Sequence, residues 1–240
     1  MSKFDSDESN SGEANLVTIF KSHRQDYLEA YLRRAGLADL ELRAQWDLIP
    51  PAIQRVLPES SDGFGLIGGY RVGKTSALAA LLRRDAEHSV DRIMAEMVGR
   101  PEEDFLMVEA IRKGKLLRKP NISWINWPTR IPEYRAKLFI RETEGEVEAW
   151  IQESLLNGQV TLVLDDIGAD RQTAQDWSGE VLGRVIDERL RWGRRTYWTS
   201  NCDRKELVGR YGARTVSRLL ELAQAVVLPS LPAFPKGTDQ

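Results

Sequence analysis

The sequence predicts an α/β fold with a mostly parallel sheet covered by helices on both faces. Short runs of strand-forming residues alternate with longer segments in which apolar residues recur at helical spacing. Polar or glycine-rich sequences follow three of the strand-like runs. That pattern is typical of parallel sheets that bind ligands at the carboxyl ends of their strands.

The elements are predicted in order along the chain. The first are a helix at Leu16–Tyr31, a strand at Gly63–Ile67 and a helix at Lys74–Arg84. The later strands and helices are predicted at Ser123–Trp127, Glu146–Leu156, Thr161–Leu164, residues 174–190, Thr196–Ser200, Asp203–Gly212, Arg214–Ala225 and Val226–Leu228. We therefore expect an acidic disordered tail at 1–15, a helical extension at 16–60, the main domain at 61–229 and a proline-rich tail at 230–240.

Composition excludes several classes of protein. The 240 residues suit one domain with a small extension, and no apolar run approaches the roughly 20 residues that span a bilayer. The N-terminal segment is too polar for a signal peptide. Cys202 is the only cysteine, so an internal disulfide is excluded and a cytoplasmic location without membrane partners is expected. A net charge of −2 does not by itself indicate a nucleic-acid-binding protein.

One segment matches the phosphate-binding pattern G-x-x-x-x-G-K-[ST] in full. Glycines allow several backbone N–H groups to point at one anion, and the following helix adds its positive N-terminal end. We expect Lys74 to contact the β- and γ-phosphates and Thr75 to bind Mg²⁺. The predicted nucleotide contacts are Gly68, Gly69, Tyr70, Arg71, Val72, Gly73, Lys74, Thr75 and Ser76.

Two carboxylates end the strand predicted at Thr161–Leu164. Asp165 and Asp166 occupy the place of the second nucleotide-binding element of P-loop ATPases. We assign Asp165 to the metal and Asp166 to the attacking water. The ligands predicted from this pattern are ATP and Mg²⁺.

Asn201 ends the strand predicted at Thr196–Ser200. In P-loop ATPases with an additional strand, a polar residue at this place contacts the γ-phosphate or the lytic water, whereas an asparagine that only forms a turn fits the local sequence equally well.

Arginines offer further candidate contacts. Arg214 and Arg218 are four residues apart, and Arg218 could serve as an arginine finger or pair with Glu221. Two basic clusters, at 112–119 and 184–195, could contact a phosphate backbone or form a solvated face.

Taken in order, these motifs resemble the AAA+ ATPases of the DnaC/IstB type, which are helicase loaders and transposition helpers. The most specific stretches are Leu162–Gly168, Asp187–Asn201 and Tyr211–Leu219. The resemblance implies an AAA+ domain at 61–229, a sensor role for Asn201 and a finger role for Arg218. It also implies a homo-oligomer that shares ATP sites between subunits and assembles on DNA.

The sequence departs from that family in three places. Tyr70 and Arg71 stand where small residues are usual, and residues 89–120 resemble an insertion. The sequence after the last predicted strand has no arginine that could act as a second sensor, so slow or partner-stimulated hydrolysis is expected.

The resemblance leaves two partners open. A helicase loader would engage a replicative helicase and single-stranded DNA, with the helix at Leu16–Tyr31 as the helicase contact. A transposition helper would bind duplex DNA and recruit a transposase. A P-loop protein that binds nucleotide without turnover is the third alternative.

Overall fold

A computed structural model of the chain describes residues 24–57, 62–97, 118–140, 143–157, 160–170 and 177–229. The predicted tails at 1–15 and 230–240 lie outside this range, as do residues 16–23 of the predicted first helix. Residues 98–117 of the predicted insertion, which include most of the basic cluster predicted at 112–119, also lie outside it. The chain divides into two compact units, one of Met1–Gln45 with Ala79–Asn121 and one of Trp46–Leu78 with Ile122–Gln240. No helix in the described ranges combines the length and apolar character needed to cross a membrane.

A five-stranded sheet forms the centre of the second unit. The strands are β1 (Gly65–Ile67), β2 (Ile122–Asn126), β3 (Thr161–Asp165), β4 (Thr196–Ser200) and β5 (Ala225–Val227). Every neighbouring pair is parallel, in the order β2-β3-β4-β1-β5. This confirms the predicted parallel α/β sheet of a P-loop fold. Because β4 lies between β1 and β3, the carboxyl ends of these three strands are adjacent.

Helices account for most of the remaining described residues. In chain order they are α1 (24–35), α2 (Asp39–Leu42), α3 (Pro51–Gln54), α4 (Lys74–Met97), α5 (Trp127–Lys137), α6 (Glu144–Trp150), α7 (Trp177–Arg191) and α8 (Arg204–Leu222). A 3₁₀ turn covers Trp46–Leu48, and a π-helical segment, Ile151–Leu156, continues α6. The predicted extension at 16–60 is therefore helical over much of the part that is described.

The core of the second unit forms where helices cover the sheet. Four of the five residues of β3 and all five of β4 are buried, as expected for central strands of a parallel sheet. Leu162 and Leu164 of β3 and Trp198 of β4 belong to one apolar cluster with Val185 of α7 and Leu219 of α8. This packing fixes the strand ends relative to α7 and α8.

Helix α4 is longer than the sequence indicated. It continues to Met97 instead of ending near Arg84, so residues 89–97 of the predicted insertion are helical. Ala86, Val90 and Ile93 are buried and recur at spacings of four and three, which extends one apolar face along the helix. Two i,i+4 ion pairs, one of them Arg83–Glu87, support the same stretch.

Helix α8 contains the two helices predicted at Asp203–Gly212 and Arg214–Ala225. The capping box is confirmed, since Glu206 N–H donates to Asp203 Oδ1 at 2.8 Å and Asp203 N–H to Glu206 Oε2 at 2.7 Å. Gly212 interrupts the helix, with φ 81° and ψ 153°. Glycine adopts this conformation readily, whereas residues with a side chain rarely do. The second part ends at Leu222, before β5.

Arg189 corrects part of the basic cluster predicted at 184–195. Its side chain is 0% exposed, so it cannot contact a phosphate backbone. The guanidinium donates to Thr196 Oγ1 at 2.8 Å and to the carbonyls of Leu155, Val160 and Arg195 at 3.0, 2.9 and 2.7 Å. Burial lowers the pKa of Arg189 to about 10. Arg189 therefore connects α7 with the segments that precede β3 and β4.

We predict that Arg189→Met lowers the free energy of unfolding by about 3 kcal/mol, because several buried carbonyls lose their donor. Arg191→Met is the matched control, since the Arg191 side chain is 66% exposed and forms a surface ion pair with Glu188; its effect should stay within about 0.5 kcal/mol. Urea unfolding followed by circular dichroism measures both. Equal, small effects would contradict a structural role for Arg189.

Candidate functional site

The glycine-rich loop lies between β1 and the N-terminus of α4. Gly73 has φ 89° and Arg71 has φ 62°, so the backbone turns tightly through the left-handed region. Tyr70 is 81% exposed, and Arg71 and Ser76 are exposed, whereas Val72 is buried. The loop therefore presents its two unusual residues to solvent.

Lys74 lies inside the turn of this loop. Its side chain is buried, and its ammonium Nζ donates to the carbonyls of Gly68 at 2.8 Å and Gly69 at 2.7 Å. Burial lowers the pKa of Lys74, although the nearby carboxylates of Asp166 and Asp165 act to raise it. The loop thus holds a desolvated cation against its own backbone.

Thr75 and Asp165, the two predicted metal ligands, are in contact. Thr75 Oγ1 donates to Asp165 Oδ1 at 3.0 Å, and Asp165 is 2% exposed. A carboxylate and a hydroxyl are hard oxygen ligands of the kind that Mg²⁺ prefers, with water and phosphate oxygens completing its shell. The donor set therefore fits Mg²⁺.

Asn201 connects Lys74 with the second carboxylate. Its Oδ1 accepts from Lys74 Nζ at 2.7 Å, and its Nδ2 donates to Asp166 Oδ1 at 2.5 Å. The turn-forming alternative for Asn201 does not explain these two contacts. The structure thus brings the predicted residues of the glycine-rich loop, β3 and β4 together at one edge of the sheet.

Asp166 has an unusual backbone and an altered acidity. Its φ of 61° lies in the left-handed region, which costs a non-glycine residue about 1 kcal/mol. Burial raises the pKa of Asp166, and this outweighs the opposite influences of Lys74 and the hydrogen bond from Asn201. An Asp whose pKa is raised and which lies beside the glycine-rich loop is a candidate proton acceptor.

Thr199 is a site residue that the sequence reasoning did not single out. It is 1% exposed; its Oγ1 donates to Asp165 Oδ1 at 2.7 Å and accepts from the Asp166 N–H at 2.8 Å. One hydroxyl therefore positions the Asp165 carboxylate and the backbone of Asp166. Thr199 could have been identified from the sequence because it places a hydroxyl in a strand predicted to be buried, where a polar group needs a hydrogen-bond partner.

Arg218 lies outside this cluster. Its Nη1 donates to Asp187 Oδ1 at 2.7 Å, and the two side chains are 38% and 44% exposed. The surface partner expected from sequence was Glu221, whereas the structure pairs Arg218 with α7. Among the described contacts, Arg218 does not touch the Lys74, Asp165, Asp166 or Asn201 side chains.

Several solved structures are similar to this chain, among them those of the DnaC helicase loader and of DnaI. The crystal structure of the DnaC helicase loader superposes with a TM-score of 0.51 at 21% identity, covering 80% of this chain and 100% of that chain. The crystal structure of DnaI gives a TM-score of 0.51 at 20% identity, covering 81% and 95%. These similarities confirm the fold implied by the resemblance to DnaC/IstB-type AAA+ proteins. No protein-family model and no curated protein matches the sequence.

We predict that Asp166→Asn raises the free energy of unfolding of the nucleotide-free chain at neutral pH. Because the folded pKa of Asp166 is raised, its ionised form opposes folding, and an amide of the same shape removes that cost. The gain should be full above the raised pKa and should disappear as the pH falls to the ordinary value near 3.8.

Urea unfolding at a series of pH values measures this difference. Asp187→Asn is the control, since it removes one partner of an exposed ion pair and should change stability by less than about 0.5 kcal/mol. Destabilisation by Asp166→Asn at neutral pH would contradict the account of this carboxylate.

Proposed function

We propose that the chain is an AAA+ ATPase that binds ATP and Mg²⁺ at Gly68–Thr75 and loads a replicative helicase onto DNA. One observation supports the ATP site above all others. Asn201, at the end of β4, contacts both Lys74 of the glycine-rich loop and Asp166 after β3, at 2.7 and 2.5 Å. The three parts of an additional-strand ATPase site are thus joined by one side chain.

Binding of the phosphates is assigned to the loop and to the start of α4. The backbone of Gly68–Gly73, the buried ammonium of Lys74 and the N-terminal end of α4 all favour an anion. Thr75 and Asp165 would hold Mg²⁺, which when bound offsets the negative charge of the β- and γ-phosphates. Lys74 would exchange its bond to Asn201 for one to a phosphate oxygen.

Hydrolysis is assigned to Asp166 and Asn201. Burial raises the pKa of Asp166, which makes its carboxylate a better proton acceptor near neutral pH than an exposed aspartate. Asn201 donates to this carboxylate and can orient it, or orient the water that it activates. Thr199 accepts the Asp166 backbone N–H and so holds the backbone of this residue.

Arg218 is proposed to complete the ATP site of a neighbouring subunit. Its pair with Asp187 is partly exposed, and solvent-exposed pairs contribute only about 0–1 kcal/mol, so the guanidinium can exchange partners readily. A planar cation suits a γ-phosphate.

The loader function rests on the similarity of the fold to the DnaC helicase loader. It implies a homo-oligomer in the cytoplasm, with DNA and a replicative helicase as partners. A transposition helper of the IstB type is the alternative function. A capture experiment with helicase and transposase distinguishes the two.

We predict that Lys74→Ala weakens ATP affinity by about 10- to 100-fold, because charge-assisted bonds to phosphate are lost. Asp166→Asn should keep the affinity within about 2-fold but lower kcat by about 100-fold or more. Equilibrium binding and phosphate-release assays measure these two effects. Arg191→Ala, at the exposed end of α7, is the control with unchanged binding and turnover. If the Lys74→Ala variant hydrolysed ATP at the wild-type rate, the assignment of Lys74 to the ATP site would be contradicted.

We predict that the full-length chain, captured with ATP and Mg²⁺, retains purified replicative helicase from the same cells. Capture should fail with Lys74→Ala if nucleotide controls the complex. The same assay with the transposase of those cells is the comparison. Binding of the transposase but not of the helicase would overturn the loader proposal and favour the transposition helper.

A further inference from the structure

The loop that follows the two carboxylates is held by a buried hydrogen-bond network. The network centres on Asp170 and Tyr211, which are 6% and 9% exposed. Tyr211 Oη donates to Asp170 Oδ1 at 2.5 Å and accepts from the Gly168 N–H at 2.9 Å. One tyrosine hydroxyl of α8 therefore holds the loop 167–170 at two points.

Other side chains complete the network around Asp170. Ser178 Oγ donates to Asp170 Oδ2 at 2.6 Å, and Trp127 Nε1 donates to Ser178 Oγ at 3.1 Å. Arg210 Nη1 donates to the Asp170 carbonyl at 3.0 Å. Both carboxylate oxygens of Asp170 are thus occupied by hydroxyl donors. A buried network of this kind resists small displacements, because each broken bond leaves a polar group without water.

This network bears directly on Asp166. Asp166 and Gly168 both have left-handed backbones, with φ of 61° and 90°, so the turn between them must be held by its surroundings. Thr199 accepts the Asp166 N–H, and Tyr211 accepts the Gly168 N–H. Ser200 Oγ also donates to the Ile167 carbonyl at 2.7 Å, and Cys202 Sγ contacts the Gly168 carbonyl at 3.6 Å. Tyr211 is therefore one of several side chains that fix the backbone of this turn, and it is the one that lies on α8.

The same tyrosine also begins the segment that carries Arg218. Tyr211 directly precedes Gly212, where the left-handed backbone interrupts α8. Residues 213–222 form the second part of the helix and include Arg214 and Arg218. A shift of Tyr211 would therefore change the direction in which this part leaves the interruption.

We propose that Tyr211 is a positioning residue that couples the Asp166 turn to the arginine-bearing segment 213–222. This inference rests on the proposed nucleotide binding. When nucleotide at Lys74 and Asn201 displaces the Asp166 turn, Gly168 and Asp170 carry Tyr211 with them, because the buried hydroxyl has no alternative partner in water. Burial, and then the hydrogen bond to Asp170, raise the pKa of Tyr211, so it stays a neutral donor at physiological pH.

The test is amide hydrogen exchange of the full-length chain, with and without a saturating non-hydrolysable ATP analogue and Mg²⁺. Tyr211→Phe removes the hydroxyl and keeps the ring. Tyr197→Phe is the matched control: Tyr197 is also buried, and its hydroxyl accepts from Arg195 instead of from the Asp166 turn. Protection of Gly68–Thr75 reports binding in every sample.

We expect the analogue to change exchange in residues 213–222 of the wild type and of Tyr197→Phe, and not in Tyr211→Phe. Steady-state kinetics should show kcat lowered about 10-fold in Tyr211→Phe, with KM for ATP within about 2-fold. A merely structural tyrosine would leave the nucleotide-dependent change at 213–222 intact.

The outcomes separate this inference from the proposed function. No protection of Gly68–Thr75 would overturn nucleotide binding itself. Protection there without a change at 213–222 in the wild type, or with the change retained in Tyr211→Phe, would overturn the coupling alone. If Tyr211→Phe does not fold, Ser178→Ala loosens Asp170 from the other side. That variant should reduce the change at 213–222, and an undiminished change would overturn the coupling.

Discussion

The position of β4 between β1 and β3 in the sheet is the constraint on which the site depends. Parallel pairing brings the carboxyl end of β4 beside the glycine-rich loop on one side and the two carboxylates on the other. Thr199 and Asn201 then contact groups on both neighbours. If β4 were at the edge of the sheet, Asn201 could not contact Lys74 and Asp166 at the same time.

The site contains ionisable side chains whose charged forms are disfavoured by burial. Lys74 and Asp165 are buried, and burial dominates the pKa shifts of Lys74 and Asp166. Active sites often reduce stability in this way, since groups arranged for a ligand are not ideally solvated without it. Arg189 is equally buried, but it binds Thr196 and the carbonyls of segments that precede β3 and β4, away from Lys74 and the carboxylates, so its role is structural.

Local patterns predicted much of the fold and of the site. Three features are each encoded within a few consecutive residues, so they can be recognised from the sequence alone. They are the glycine-rich loop, the carboxylates after β3 and the capping box of α8. The parts that were wrong or missed depend on distant contacts. Burial of Ala86, Val90 and Ile93 extends α4 beyond Arg84, and Arg189 is buried because carbonyls remote in sequence surround it.

The hydrogen bonds of Thr199 and Tyr211 to the turn after β3 were missed for the same reason, since these hydroxyls contact groups more than 30 residues away. The role of Arg218 is a different case, because it requires a second subunit and stays a prediction.

The most direct measurement is calorimetric titration of the full-length chain with ATP in the presence of Mg²⁺ and again in EDTA. The account predicts one saturable site per chain, with affinity that falls about 10-fold or more when Mg²⁺ is removed, because Thr75 and Asp165 then lose the ion that they are placed to hold. Absence of saturable binding in Mg²⁺, or equal affinity in EDTA, would contradict it.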